Sequence, residues 1–317
     1  MTSISLPVFL AGPTAVGKSA VALLLAEKIN GEIISVDSMQ VYRGLNLGTA
    51  KPSPQERAKI PHHLIDVVDL NESFDAAQFC RLAQNAVVEI QARNRIPIFC
   101  GGTGFYFKAF LEGLGEAPPS NETIRVELKK KTLAELLEEL KQLDPITFEK
   151  IDRQNPRRIV RALEVIHLTG KPFSEQRADW RRSETGERKS GGKNRNSGIF
   201  FGLAREMEDL RQRINLRVEK MFQRGLVAET EELLKRGLEK NKTAMQAIGY
   251  RQVVTHLRGE RSLSETKELV KIKTRQFAKR QMTWFRRQAK LSWINIDQKE
   301  NESCVADRLF KEITTKI

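Results

Sequence analysis

The stretch Gly12-Pro13-Thr14-Ala15-Val16-Gly17-Lys18-Ser19 follows the pattern G-x-x-x-x-G-K-[ST], which is typical of a phosphate-binding loop. The apolar run 8–11 before it predicts a buried strand, and residues 20–29 after it predict a helix. Its two glycines let the backbone N–H groups point at an anion, its lysine adds a positive charge, and Ser19 is a candidate Mg²⁺ ligand. The loop is therefore predicted to bind a chain of phosphates; taken alone, it suggests an ATP site.

Length and composition limit the class of protein. The chain has 317 residues, which suggests about two domains, and 40% of them are apolar, enough for a real core. No stretch approaches the roughly 20 apolar residues of a membrane span, and the N-terminus does not resemble a secretory signal. Cys80, Cys100 and Cys304 form no C-x-x-C pair, which argues against a zinc or disulfide framework. We expect a cytoplasmic protein without a membrane segment.

Positive charge is concentrated in the later part of the chain. Residues 1–120 carry 10 Lys/Arg and 11 Asp/Glu, residues 121–200 carry 18 and 13, and residues 201–317 carry 26 and 16. A small nucleotide does not need that much positive surface, whereas nucleic acid does. Nucleic acid is therefore the leading partner, and an ordinary basic protein with solvated charges is the alternative.

The first third alternates strands with helices, which predicts an α/β fold with a phosphate-loop NTPase-like parallel sheet flanked by helices. Ligands of such sheets bind at the carboxyl ends of the strands. Gly12, Asp37 and Gly101-Gly102 each follow a predicted strand directly, so we expect them to converge on one site. The predicted elements here are strands at 8–11, 33–36 and 96–100 and helices at 20–29 and 76–92.

A boundary is predicted at 117–121, where Pro118-Pro119 interrupts the chain. Residues 121–198 are interpreted as a helical insertion, with helical segments at 122–143 and 156–169 and a polar basic loop at 183–197. The α/β core then comprises 1–120 and 199–317. Its second part is largely helical, with a strand at 199–203, helices at 208–224, 227–236 and 264–290, and a last strand at 293–296.

Asp37 ends a buried strand one crossover after the phosphate loop. In an ATPase an acid at a strand end binds Mg²⁺ or orients water, yet the strand before Gly101-Gly102 ends without an acid. A conventional Walker B aspartate is therefore missing. Asp37 is predicted to be a base acting on an acceptor; the alternative is a carboxylate that caps a turn.

Taken together, the motifs resemble the bacterial tRNA dimethylallyltransferase (tRNA isopentenyltransferase) family nearly end to end. A phosphate loop alone is shared by many NTPases, but this ordered set is far more specific. The matching segments are Gly12–Ser19, Ser35–Tyr42, Gly48–Pro52, Pro61–Asp66, Gly101–Tyr106, Asn155–Glu164, Gln246–Arg251 and Ala278–Arg286.

The resemblance implies transfer of the dimethylallyl group of dimethylallyl diphosphate to N6 of the adenosine 3′-adjacent to the anticodon. The loop would then hold the diphosphate of a prenyl donor rather than ATP, with Mg²⁺ on Ser19. Lys18 and, by family analogy, Arg213 would stabilise the leaving group, and Thr14 would contact its bridging oxygen. Asp37 would take the proton from the N6 amine.

The resemblance also implies contacts with the tRNA anticodon stem-loop, whose target base the family extrudes into a channel. The implied contacts are Asp37-Ser38-Met39-Gln40, Thr103, Arg125, Arg157-Arg158-Ile159-Val160-Arg161 and Gln246-Ala247-Ile248-Gly249-Tyr250-Arg251. From the residues alone, Arg157 and Arg158 could be a surface charge pair and Tyr250 a core residue. His62 and His63 are interpreted as loop packing rather than metal ligands. The basic segment 184–196 matches nothing assigned in the family, and no zinc finger ends the chain.

Two alternatives remain at this stage. An adenylate isopentenyltransferase shares the chemistry, but the positive charge of residues 121–317 exceeds what AMP needs. A phosphate-loop kinase or RNA-binding NTPase shares the loop, but the missing acid after Cys100 disfavours it. The oligomeric state is taken to be a monomer.

Overall fold

The computed structural model of the chain describes residues 6–114, 118–176 and 198–315. The chain divides into two compact units, Met1–Leu111 with Lys193–Ile317, and Glu112–Gly192. The sequence prediction placed both boundaries a few residues later. The predicted polar loop 183–197 lies outside the described residues.

The first unit is built on a parallel sheet of six strands in the order β3-β2-β4-β1-β5-β6. Every neighbouring pair is parallel, as the alternation of strands and helices predicts. The central strands are buried along their whole length, which explains their continuous apolar runs. The strands are β1 (Val8–Ala11), β2 (Gly31–Val36), β3 (His62–His63), β4 (Ile96–Gly101), β5 (Ile199–Arg205) and β6 (Ser292–Ile296).

Helices make up most of the remaining described residues. None of those helices is long and apolar enough to cross a lipid bilayer. They are α1 (Lys18–Ile29), α2 (Pro54–Lys59), α3 (Ala76–Ala92), α4 (Gly104–Glu112), α5 (Glu122–Lys130), α6 (Leu133–Leu143), α7 (Pro145–Lys150), α8 (Pro156–Thr169), α9 (Phe173–Gln176), α10 (Met207–Gln223), α11 (Leu226–Lys235), α12 (Tyr250–Leu257), α13 (Leu263–Gln288) and α14 (Glu302–Thr315).

Aromatic side chains join the centre of the sheet to α4 and α13. Phe9 of β1 stacks on Phe99 of β4 with ring centroids 4.7 Å apart. Phe107 of α4 lies 6.5 Å from Phe9 and 6.0 Å from Phe285 of α13. Because these large rings are almost fully buried, they contribute strongly to the core and connect α13 to the sheet through α4.

The interpretation of His62 and His63 as loop residues was wrong, because they form the edge strand β3 beside β2. His63 Nε2 lies 2.6 Å from a carboxylate oxygen of the buried Glu32, which also accepts hydrogen bonds from Arg93. Burial raises the pKa of Glu32, but the hydrogen bonds from Arg93 and His63 outweigh it and lower the pKa overall. His63 is thus part of an ion cluster with Glu32 and Arg93, whereas His62 Nδ1 lies 2.7 Å from the carbonyl oxygen of Ile60. No group of three or more metal-ligating side chains occurs among the described residues.

The second unit packs α5, α6 and α8 around an apolar core. The predicted helical stretch 122–143 is two helices, because Thr132 caps α6 in a capping box with Glu135. Helix α8 begins after Asn155, which caps it, and ends at Gly170 in the left-handed conformation. The core residues are Leu128, Leu136, Leu140, Ile159, Val160, Ala162, Leu163 and Ile166.

Candidate active site

The phosphate loop runs from the end of β1 to the first residue of α1, in the context that its pattern requires. Gly12 has φ of 151°, and a Cβ there would lie 2.7 Å from the carbonyl oxygen of Leu203. Gly17, at φ of 107°, is the N-cap of α1, and no side chain caps this helix. The first-turn N–H groups of α1 are therefore available to an anion, favoured by the helix dipole.

Lys18 begins α1 and donates from Nζ to the carbonyl oxygen of Pro13 at 2.7 Å. Burial lowers the pKa of Lys18 to about 8, and the neighbouring Arg217 lowers it further while Asp37 opposes the shift. Burial likewise lowers the pKa of Arg217, against the favourable charge of Asp37. The charges of Lys18, Arg217 and Asp37 therefore influence one another.

Two arginines hold the loop from outside through its carbonyl groups. Arg213 of α10 donates from Nε to Ala15 at 3.0 Å and forms an ion pair with Glu302 at 3.0 Å. Arg205, at the end of β5, donates from Nε to Val16 at 3.0 Å. These contacts fix the backbone of the loop and bring the predicted Arg213 into contact with it.

Asp37 follows β2 and forms a tight turn with the residues after it. Its Oδ1 accepts hydrogen bonds from the backbone N–H of Met39 at 2.8 Å and of Gln40 at 3.3 Å. The capping interpretation of Asp37 therefore describes one of its two oxygens. Its Oδ2 accepts no hydrogen bond from the described residues, so a free oxygen is available to take a proton.

The ends of β2 and β4 meet closely beside Asp37. The N–H groups of Gly102 and Thr103 both donate to the carbonyl oxygen of Val36, at 3.2 and 3.1 Å. Thr103 Oγ1 in turn accepts a hydrogen bond from the N–H of Ser38 at 3.1 Å. The predicted convergence of Gly12, Asp37 and Gly101-Gly102 is thus present in the geometry: a Cβ on Gly102 would lie 3.5 Å from the Gly12 carbonyl oxygen.

Tyr250 is buried, and its side chain makes contacts within the first unit instead of lying at the surface. Its hydroxyl accepts a hydrogen bond from the N–H of Gly48 at 3.0 Å and donates to Glu229 at 2.6 Å. Burial and Glu229 raise the pKa of Tyr250, so the phenol stays protonated. The Gln40 amide also donates to the carbonyl of Thr49 at 3.2 Å. The side chains of Tyr250 and Gln40 therefore hold the segment 48–50, which faces the Asp37 turn.

A groove of about 560 Å³ lies between the segment 246–255 and α13. Four of its side chains are cationic, none is acidic, and none of the four forms an ion pair within the described part of the chain. Gln246 and Arg251, from the predicted tRNA-contact segment, are exposed and line it, whereas Ala247 and Gly249 are buried. The lining residues are Gln246, Ile248, Arg251, Gln252, Thr255, Arg261, Leu269, Lys273, Gln276 and Arg280.

In the second unit, two of the predicted arginines neutralise a buried carboxylate. Glu164 is fully buried and accepts from Arg125, from Arg161 and from the N–H of Asn121. Burial raises the pKa of Glu164, but these partners lower it below its usual value. Arg161 also donates to the carbonyl of Pro118 at 2.6 Å. Both arginines thus hold the start of the unit against α8.

The other predicted residues of α8 divide between surface and core. Arg157 and Arg158, in its first turn, are exposed, whereas Ile159 and Val160 are buried among the apolar residues of the unit. Arg157 and Arg158 are therefore the exposed charges of this segment, and Arg161 is half-buried beside Glu164.

Sequence reasoning missed two residues of this site. Arg217 lies one helical turn after Arg213 on α10 and shares the charge environment of Asp37 and Lys18. The four-residue spacing was the available indication. Gln281 contacts the phosphate loop from α13, at a separation of 267 residues that no local pattern reveals.

The residues at the site fit a magnesium ion that is held mainly by the phosphate oxygens of a bound substrate. Ser19 is exposed at the first turn of α1, beside the loop that would hold phosphates, and Asp37 supplies a carboxylate nearby. Mg²⁺ keeps several waters and usually takes only one or two protein ligands together with phosphate oxygens. The absence of a larger ligand cluster among the described residues is compatible with that mode.

Comparisons with known proteins agree on one family. The family model described as IPP transferase matches residues 40–288. A tRNA dimethylallyltransferase of Geobacter sulfurreducens is 43% identical over 308 residues, 96% of each chain. One from Carboxydothermus hydrogenoformans is 41% identical over 310 residues, again 96% of each.

Solved structures give the same answer. The full-length tRNA isopentenylpyrophosphate transferase of Bacillus halodurans is 35% identical, with a TM-score of 0.69 over 98% of both chains. A eukaryotic dimethylallyltransferase acting on tRNA is 28% identical, with a TM-score of 0.78 over 98% of this chain and 79% of that one. With this sequence identity over nearly its whole length, the chain belongs to the IPP transferase family.

Proposed function

We propose that this protein, as a cytoplasmic monomer, transfers the dimethylallyl group of dimethylallyl diphosphate to N6 of the adenosine 3′-adjacent to the anticodon of tRNA. The relatives named tRNA dimethylallyltransferase support this activity. The observation that carries the proposal is that Asp37, with Oδ2 unused by the described residues, follows β2 beside the end of β4, where Gly102 lies against Gly12 of the phosphate loop. A base and a leaving-group cradle thus share one site.

The loop acts on the leaving group. As the bond between the allylic carbon and oxygen breaks, negative charge grows on the diphosphate, and the N–H groups of α1 with Lys18 stabilise it. Arg213 and Arg217 add positive charge from α10. Ser19 would hold a magnesium ion, which would neutralise part of the diphosphate charge.

Asp37 acts on the acceptor. The N6 amine attacks the allylic carbon, and the amine proton passes to Oδ2 of Asp37, the oxygen that no described residue uses. Oδ1 stays in its turn and fixes the orientation of the carboxylate. Thr103, bonded to the Ser38 N–H, keeps this turn against the end of β4.

The basic groove beside α13 supports RNA as the acceptor. Its four cations have no carboxylate partners among the described residues and suit the phosphates of an RNA backbone. The target base is stacked within the anticodon loop and has to leave the stack to reach Asp37. Exposed Arg157 and Arg158 of α8 offer further charge for phosphate contacts.

The direct test supplies labelled dimethylallyl diphosphate to the purified protein with unmodified tRNA, with AMP, or with ATP and no acceptor. We expect the labelled dimethylallyl group to appear in tRNA, with one free diphosphate released for each group transferred. Label in AMP alone would identify an adenylate isopentenyltransferase. Hydrolysis of ATP without prenyl transfer would contradict the proposal and favour a phosphate-loop NTPase.

Replacing Asp37 by Asn is expected to remove the base and preserve the turn, because the Asn side-chain oxygen can still accept from Met39. Transfer on bound tRNA should fall about 10²- to 10⁴-fold, the range for loss of a general base. Single-turnover kinetics at saturating tRNA measure this, with tRNA affinity measured in parallel. A variant that binds tRNA weakly but transfers normally would make Asp37 a binding residue only.

Diphosphate binding is expected to weaken as the pH rises above about 8, the pKa of Lys18. The bound anion favours the ammonium form, so binding takes up a proton where free Lys18 is neutral. Calorimetry with inorganic diphosphate, in buffers of different ionisation enthalpy, measures this uptake. Lys18→Arg stays charged and should lose this part of the pH dependence; identical profiles in both proteins would contradict the assignment.

Lys273→Ala should weaken tRNA binding and lower the slope of log affinity against log salt by about one unit, as loss of one phosphate contact does. Lys271→Ala is the matched control on the same helix, because Lys271 forms ion pairs with Glu219 and Glu268 instead of lining the groove. Both variants lose one charge. Equal slopes in the two variants would show that the groove does not bind the RNA backbone.

A further inference from the structure

Gln281 of α13 connects two segments of the candidate active site through one amide. Its Oε1 accepts the backbone N–H of Thr14 at 2.9 Å, and its Nε2 donates to the carbonyl of Gly102 at 2.9 Å. The residue is buried, and both ends of the amide are used. A buried and fully satisfied amide holds its partners in a defined geometry.

The segment after β4 is shaped to receive this side chain. A Cβ on Gly102 would lie 2.2 Å from Nε2 of Gln281, and one on Gly104 would lie 2.1 Å from the ring of Trp284. Gln281 and Trp284 are one turn apart on α13 and therefore face the same way. The two glycines thus form the surface on which this turn of α13 is seated.

The two hydrogen-bond partners of the Gln281 amide belong to different parts of the candidate active site. Thr14 belongs to the loop that holds the leaving group. Gly102 is followed by Thr103, whose hydroxyl accepts from Ser38, the residue next to Asp37. One side chain therefore ties the diphosphate cradle to the strand end that holds the turn of the base.

We propose that Gln281 is a positioning residue that sets the distance between the diphosphate cradle and Asp37. The inference rests on the proposed prenyl transfer, in which the allylic carbon and the N6 amine must meet between these two groups. Gln281 acts through Thr14 and Gly102 and contacts neither reacting atom. Its removal should impair the reaction step much more than the binding of either substrate.

The test compares Gln281→Met, which keeps the size of the side chain but loses both hydrogen bonds, with the full-length wild type. The single-turnover rate should fall about 10- to 100-fold, the cost of a misplacement near 1 Å. Affinities for inorganic diphosphate and for tRNA should change much less. Gln84→Met, on an exposed position of α3, controls for the substitution itself.

Gly102→Ala provides a second variant that keeps Gln281 but pushes its amide away. It should reproduce the loss of rate, and the double variant should be no slower than the slower single one, because both act on one contact. A wild-type rate in Gln281→Met, additive effects, or an equal loss of diphosphate affinity would overturn the proposal. A wild-type protein without transferase activity would instead refute the proposed prenyl transfer. Melting temperatures of the variants equal to that of the wild type would show that a loss of rate does not come from misfolding.

Discussion

The site depends on how closely the ends of β2 and β4 approach each other. A Cβ on Gly101 would lie 2.1 Å from the carbonyl oxygen of Val36, so no side chain fits there. On Gly102 it would collide with Gln281. The missing Walker B acid therefore has a steric cause: this strand end has no room for a carboxylate, because neighbouring backbone and α13 occupy the space.

The acid of this site, Asp37, therefore follows β2 instead of β4, and its chemical role differs from that of a Walker B aspartate. Asp37 lies at the end of β2, with β4 between it and the phosphate loop strand β1. An acid so placed faces whatever enters beside the phosphates. A base separated from the cradle by a whole strand suits transfer to a second substrate better than hydrolysis, where water alone must be oriented.

Local patterns were sufficient for much of the fold. The helix at 76–92 and the helix at 156–169 have the bounds that were predicted, because caps and apolar periodicity mark both. The pattern missed α4 and α14 and joined α5 to α6, although Thr132-x-x-Glu135 was a readable capping box. The two-residue strand β3 was missed because its ladder partner in β2, not its own sequence, makes it a strand.

The candidate site was predictable where its residues lie within one motif. The loop and Asp37 each follow a strand directly, and parallel strands bring such ends together. Gln281 could not be found in this way, because its contacts depend on the packing of α13 through Phe285 and Trp284. Likewise, Tyr250 packs its ring against Gly48, 202 residues away, whose N–H donates to the Tyr250 hydroxyl.

Net charge predicted the class of partner but not which arginines meet it. In the second unit, Arg125 and Arg161 serve Glu164, whose buried carboxylate would be costly without them. In the first unit, Arg205 and Arg213 hold loop carbonyls. The cations left to meet RNA phosphates are those without an internal task; Lys273 and Arg280 of α13 line the groove, whereas Phe285 of the same helix is buried in the core. Helix α13 therefore contributes both to the proposed RNA groove, through Lys273 and Arg280, and to the phosphate loop, through Gln281, so that one helix connects the two proposed substrate sites.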